Sequence, residues 1–431
     1  MSTYTPNSTV ASTNNNNNNS NNSVNNNNNN NSNNNNGPRV QIVAPPYNNL
    51  QHQVNTGKII EEIVTLTRQL SIQLEKIRWE QHQLAFPVSK ESLMILDKQQ
   101  IECKAAIDWS QKRLNQIIDS VIVDPREMEL MLQLLEQLSF QDIQILLFIH
   151  ELKSIQRNTL QPCAALIIIA QPFPSSVKQN KNLDETLAVR LLLSAKCEFA
   201  GNCVVRGDIV NQGPSKGKRN TIGVENNEKY ISDGIASFND IRFPNGTRLK
   251  SVQLKFAARV NLRDPFGNIH SLNIESNPSR HFIVKTNENQ WYEAEGILFQ
   301  ESAFGGQNEI TWHRFMNWIN RCYLIATRQT PTSPLRMLNC YDFDYLHKLK
   351  FDNTNIINQK QFDSFWTWFG PILHKIRYQR HICSLWTRGY IAGFLTRDEV
   401  EAVLKSEKVG TFLIRFSERV AGMFAGKFIF F

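Results

Sequence analysis

Steps of four and three connect Ile59, Ile63, Leu66, Leu70, Leu74 and Ile77, with Glu, Lys, Arg and Gln mostly between them. That spacing lays one apolar stripe along a helix that starts near Gly57 and ends at Pro87. A second helix is expected over about Val88 to Ile122, where Cys103, Ile107, Ser110, Leu114, Ile117 and Val121 keep the same steps. Asp124-Pro125 pairs an N-cap with proline at the first helical position. It opens a third helix, apolar on more than one face through Met128, Met131, Leu134, Leu135 and Leu138. A fourth stretch, Ile143, Leu147, Leu152 and Ile155, either continues the third or stands alone. Antiparallel packing buries every stripe, so a helical bundle is expected. The first two helices are long enough to reach partner helices, but core packing alone accounts for their stripes.

At Gln161-Pro162 the period changes. Short β-branched segments follow, broken by Gly, Pro and Asn: Ala165 to Ile169, Leu187 to Ser194, Ile235 to Phe243, Val252 to Leu262 and His281 to Lys285. Asn245-Gly246 and the run Asp264 to Asn268 are turn signals between them. Many short strands with turns predict a β-sandwich. Between two strands lies the polar loop Asn211 to Asn220, which carries Lys216, Lys218 and Arg219 among glycines. Such a loop on a rigid scaffold is either a solvated face or a contact for a phosphate backbone.

Past Trp291 the chain turns helical and aromatic. Trp312, Phe315 and Ile319 share one helix face, and Phe362, Phe365, Trp366 and Phe369 repeat the spacing before Gly370-Pro371 is expected to stop it. Stripes of this kind are core, so a small helical connector is predicted. Near the C-terminus, Gly410 to Arg419 reads as a strand in which Phe412, Ile414 and Phe416 alternate with Leu413, Arg415 and Ser417. Arg415 is expected to face away from the larger apolar side chains. Its planar donors match a phosphate bidentately, with Ser417 adding a hydroxyl; the alternative is an arginine paired with a carboxylate.

Composition narrows the class. A chain of 431 residues has room for two to four domains. The net charge of +8 and pI near 9.1 fit a polyanionic partner. Seven scattered cysteines without a Cys-x-x-Cys pair read as reduced intracellular thiols. The longest apolar runs are too short to span a bilayer, so no membrane partner is expected. Residues 1 to about 38, nearly all Asn and Ser, have nothing to bury and are expected to be disordered. No Walker loop, dinucleotide fingerprint, nucleophile elbow or zinc-protease helix is present. His374, His381 and Cys383 match no standard metal spacing. Neither an enzyme nor a cofactor is expected.

The order of helical bundle, β-sandwich, aromatic connector and Arg415 strand resembles the signal transducers and activators of transcription, the STAT family. The densest match is C-terminal. Phe365-Trp366-Thr367-Trp368-Phe369, the run Ser384 to Leu395, and Thr396-Arg397-Asp398-Glu399 look like the connection into that family's Src-homology-2 (SH2) domain and its first helix. Gly410 to Glu418 is nearly the family's strand, and Thr311-Trp312-His313-Arg314-Phe315 is similar to a connector motif. The Asn-rich leader is similar to those of amoebal members.

The resemblance implies a fold of coiled-coil bundle, immunoglobulin-like sandwich, helical connector and partial SH2 domain. The expected boundaries are 1–55 for leader and linker, 56–158, 159–296, 297–382 and 383–431. It implies a transcription factor that an upstream tyrosine kinase activates. Such a protein pairs with a phosphotyrosine peptide or a second STAT chain, as homodimer or heterodimer. It clamps double-stranded DNA and moves between cytoplasm and nucleus. By position, Arg415, Ser417, Glu418 and Arg397 would bind phosphotyrosine; Lys218, Arg219, Asn287 and Lys181 would meet DNA.

The sequence also departs from the pattern. It shows an Asn tract where the family has a folded N-terminal domain, the SH2 match stops after a second strand, and no tyrosine segment follows. The alternative expectation is therefore a truncated, non-activatable paralogue acting as an interaction or dominant-negative protein, or an incomplete gene model. Read-through of an unspliced intron is one hypothesis, since Gly426 to Phe431 can be encoded by a splice donor inside AU-rich RNA; a transcript with no longer spliced form would contradict it.

Overall fold

The computed structural model describes residues 50–157, 159–171, 176–210 and 222–429, with side chains from residue 55 onward. Three long helices come first: α1 (Leu50–Gln83), α2 (Lys90–Ser120) and α3 (Pro125–Gln156). Ser89 caps α2 and Asp124 caps α3, with Pro125 in its first turn. The fourth apolar stretch continues α3 without a break.

The buried seam of α1 is Thr56, Ile60, Ile63, Thr67, Leu70, Leu74, Ile77 and Gln81. Ile59 and Leu66, which the spacing placed on the stripe, are half-buried beside it. The polar members of the seam are hydrogen-bonded, which makes their burial tolerable. Gln141 Nε2 donates to the Thr67 carbonyl at 2.9 Å, and Gln100 Nε2 donates to Gln81 Oε1 at 2.8 Å. Gln81 Nε2 in turn donates to Glu151 Oε2 at 2.6 Å. The Glu151 carboxylate also accepts from the backbone N–H of Ala195 (2.9 Å) and Lys196 (2.8 Å), tying the bundle to the sandwich. Burial pushes the Glu151 carboxyl above its ordinary pKa, against these hydrogen bonds.

The sandwich holds strands β1 (Ala164–Ala170), β2 (Val177–Lys178), β3 (Leu187–Leu193), β4 (Glu198–Phe199), β5 (Val204–Val210), β6 (Glu228–Tyr230), β7 (Ile235–Phe238), β8 (Gln253–Arg263), β9 (Ile269–Glu275) and β10 (Val284–Lys285). One sheet runs β1-β3-β7; the other runs β4-β8-β5-β6, with β9 also paired to β8. Leu187, Val189, Phe238, Phe256, Val260 and Leu262 meet between them. β5 and β9 escaped the sequence pattern. Gly207 looks like a break in a strand, yet a Cβ there would lie 2.6 Å from the Phe256 ring, so glycine lets the two strands pack. β9 buries no side chain fully, and its polar face hides the alternation. The expected strands 235–243 and 281–285 shorten to β7 and β10.

The connector is built from α4 (Trp291–Phe299), β11 (Glu309–Thr311), α5 (Trp312–Ala326), α6 (Cys340–Lys350), β12 (Ile356–Asn358) and α7 (Gln359–Tyr378). β11 and β12 pair antiparallel and join the two helix–loop–helix halves. Helix α7 does not stop at Gly370-Pro371 as the sequence predicts. Ile372, Leu373 and Ile376 carry the buried face onward, and that burial outweighs the roughly 3 kcal/mol a helical proline costs. Asn317 on α5 locks the connector to the bundle: its Oδ1 accepts from Val123 N at 2.9 Å and its Nδ2 donates to the carbonyls of Ile118 (3.0 Å) and Val121 (2.8 Å).

The C-terminal part contains α8 (Arg380–Thr387), α9 (Arg397–Leu404), β13 (Phe412–Phe416) and β14 (Phe424–Phe428). It shares one aromatic core with the connector, in which Trp386, Phe394 and Phe416 meet Trp368 and Phe369.

Candidate functional site

Arg415 sits on β13 opposite Ala425 of β14. Its neighbour Phe416 is buried against Trp386 and Phe394, each with ring centroids 5.0 Å away, which fixes the strand and the side chain beside it. Arg415 does not turn out to solvent as strand alternation alone suggests; its side chain is only 12 % exposed. Nη1 lies 3.1 Å from Glu418 Oε1 and 3.0 Å from the Phe416 carbonyl. The carboxylate alternative read from the sequence is therefore present as a contact.

Glu418 is the point on which the donors converge. The same Oε1 accepts the backbone N–H of Arg397 at 2.9 Å. Arg397 is the first residue of α9, whose Thr396 cap and Glu399 form a reciprocal capping box. The positive end of a helix and a guanidinium thus hold one carboxylate oxygen. Lys350, from the last turn of α6, donates to the Glu418 carbonyl at 3.2 Å and lies 3.9 Å from the Trp368 ring centroid. Burial lowers the pKa of this lysine, and the charge of Glu418 opposes the shift.

The other expected members are placed differently. The Arg397 side chain is 79 % exposed and pairs with Glu401 at 3.1 Å, so α9 offers the cluster its backbone and not a second guanidinium. Ser417 Oγ accepts from Val420 N at 3.1 Å and shapes the loop after β13. Lys350 was missed in the sequence because it lies 65 residues before Arg415 (415 − 350), on another domain.

For the DNA candidates, Lys218 and Arg219 lie outside the described residues. The residues flanking their loop do not: Val210 pairs with Gln253, and a Cβ at Gly223 would lie 3.2 Å from Pro244. β2 and β10 run parallel, Val177 beside Val284 and Lys178 beside Lys285. Lys181 and Asn287 therefore follow the same end of this separate two-stranded parallel pair. Lys181 is paired with Asp184 at 2.9 Å. Asn287 is exposed; its Oδ1 accepts from Gln290 N at 3.2 Å and caps the short turn Glu288–Gln290. Exposed Arg248 and Lys250 adjoin them, since Thr247 N donates to the Val284 carbonyl at 2.9 Å. They were not singled out in the sequence because Asn245-Gly246 reads only as a turn.

Among the described residues no group of three His, Cys, Asp or Glu could hold a metal ion, and no helix is long and apolar enough to cross a membrane.

Comparison with known families agrees with this order. Residues 57–162 match the Dictyostelium STAT coiled coil, 164–285 the STATa immunoglobulin-like domain, 287–379 an EF-hand fold domain and 390–429 an SH2 domain. The paired helix–loop–helix halves of the connector account for the third match. The chain is similar to Signal transducer and activator of transcription A of Dictyostelium discoideum, 37 % identical over 78 % of this chain and 48 % of the relative. Against Signal transducer and activator of transcription B of the same organism it is 34 % identical over 85 % of this chain and 33 % of the relative. A 59-residue stretch is 46 % identical to mouse Signal transducer and activator of transcription 4, covering 14 % of this chain and 8 % of that protein. The chain thus spans half or less of the length of these relatives.

Proposed function

This chain belongs to the STAT family, and we propose that it is a phosphotyrosine-responsive transcription factor in which Arg415 captures the phosphate. The observation that carries this reading is the donor set around Glu418. A guanidinium and a helix N-terminal N–H already hold a carboxylate oxygen, and an incoming phosphate, with charge near −2, takes the same donors more strongly. Glu418 then acts as an internal stand-in that yields to the ligand. Ser417 supplies a hydroxyl once its loop opens, and Lys350 adds a nearby cation.

Captured phosphotyrosine would come from a tyrosine kinase acting on a second STAT chain or another partner, giving a homodimer or heterodimer. The sandwich end that carries Lys181 and Asn287 would then face double-stranded DNA, with Lys218 and Arg219 as the further contacts the sequence offers, and the protein would move from cytoplasm to nucleus. Phosphate contacts would position it and Asn287 would read a base edge. A second reading rests on the same contact: if Glu418 never yields, the chain is an interaction protein that binds no phosphotyrosine. Capture of the full chain on an immobilised phosphotyrosine peptide, with the unphosphorylated peptide as control, separates the two. Retention on both columns alike, or on neither, would reject phosphotyrosine recognition.

A further inference from the structure

A second feature lies far from Arg415 in the fold. A groove of about 770 Å3 opens where α3, β1 and the connector meet, within the size range of ligand sites. One wall is the edge of a sheet. β1 is the terminal strand of the β1-β3-β7 sheet. Its outer side is bridged at Leu166 to Ser276. The neighbouring segment then departs at Pro278, and the two are tied again where Gln171 Oε1 accepts Arg280 N at 2.7 Å. Between these ties, residues 167–170 have no ladder partner on that side among the described residues. The register breaks between Ile168 and Ala170, and Ile169 is 38 % exposed. An open edge of this kind is a template for another strand.

The charge around the groove is unbalanced. Arg190, Arg280 and Arg321 line it against one carboxylate, Glu136. Glu136 pairs with Arg280, and Glu129 pairs with Arg321 at 3.2 Å. Arg190 has no ion pair among the described residues and lies 5.8 Å from the Phe140 ring centroid. The opposite wall presents Trp318.

We propose that this groove docks an extended acidic peptide of a partner protein, added as a strand on the open edge of β1 with a carboxylate on Arg190. Alternate residues of such a strand face the apolar groove wall and the others face the arginine, so the fitting segment alternates apolar and acidic residues. The docking uses no residue of the Arg415 cluster and stands whether or not that cluster binds phosphotyrosine.

The test is fluorescence anisotropy of the full chain with a labelled decapeptide of alternating glutamate and valine. The expected result is saturable binding, weakened at least fivefold by Arg190→Gln and by Ile169→Glu, unchanged by Arg415→Ala, and lost when the peptide backbone is N-methylated. A peptide of alternating lysine and valine should not bind. Should Arg190→Gln fail to fold by circular dichroism, Ile169→Glu, at an exposed position, carries the same test. Absence of binding, equal binding of the lysine peptide, or indifference to N-methylation would overturn the proposal. Binding of dodecanoate in place of the peptide would overturn it too, by assigning the groove to an acyl carboxylate.

Discussion

Arg415 and Glu418 form an ion pair of 3.1 Å, and the glutamate oxygen in it is the one that accepts the first N–H of α9. They lie three positions apart along the chain, so the loop after β13 folds its own acid onto the arginine. On the proposed reading, phosphate capture would begin as an exchange. Replacing Glu418 by glutamine keeps an acceptor for Arg397 N but removes the competing charge. A partly exposed pair of this kind is worth about 1 kcal/mol, so Glu418→Gln should tighten binding of a phosphotyrosine peptide roughly fivefold. Fluorescence anisotropy with labelled peptide checks this, and weaker binding would make Glu418 a ligand contact in its own right.

On the DNA side, the two kinds of contact separate experimentally. Arg219→Ala should weaken binding to every duplex alike and flatten the slope of log affinity against log salt by about one counterion. Asn287→Ala should leave that slope alone and relax base preference. It should also cost about 1 kcal/mol of stability through the lost cap on Gln290 N. Mobility-shift titrations at several salt concentrations, with a panel of duplexes, distinguish these outcomes.

Asp342 supplies a pH dependence. Burial among the connector's aromatic side chains pushes its carboxyl pKa up from 3.8 to about 6, against the backbone N–H groups of Asn339 and Phe394 and the charge of Arg336. A raised folded-state pKa means that the protonated form favours the fold. That contribution is complete below about pH 3.8 and is lost as pH rises through about 6, an effect of about 3 kcal/mol. Asp342→Asn keeps an acceptor for the α6 cap and should remove the slope. Urea denaturation between pH 4 and 7, in wild type and variant, measures it.

Asn317 is the clamp between bundle and connector, and its three hydrogen bonds have no substitute. Asn317→Ala strands a buried N–H and two carbonyls, so it should cost about 2–4 kcal/mol. A thermal melt shows the loss. Arg397→Ala, whose exposed side chain pairs with Glu401 and no other charge among the described residues, should barely move it.

Much of the fold could be read from the sequence because its cores are apolar and periodic. Ile63, Leu70, Leu74 and Ile77 announce α1, and Phe362, Phe365 and Phe369 announce α7. What escaped was determined by partners distant in the chain. Gln81 and Gln100 sit in the buried bundle through hydrogen bonds to α3 and to each other, and the Thr67 hydroxyl donates back to the Ile63 carbonyl, none of which hydropathy registers. Pro371 reads as a stop, but the apolar face beyond it, Ile372, Leu373 and Ile376, holds the helix together. Gly207 interrupts the β5 pattern, and the Phe256 ring that requires a glycine there lies on another strand. At the site, Arg415 and its glutamate stand together in the sequence. The capping contact from Arg397 and the reach of Lys350 appear only once α9 and α6 are packed.

The central claim is that Arg415 binds phosphate, and isothermal titration of the full chain with a phosphotyrosine peptide tests it most directly. Wild type should bind the phosphorylated peptide and not its unphosphorylated twin. Arg415→Ala should lose about 3 kcal/mol, roughly a hundredfold, with its melting profile retained. Equal affinity of wild type and Arg415→Ala for the phosphorylated peptide would contradict the account.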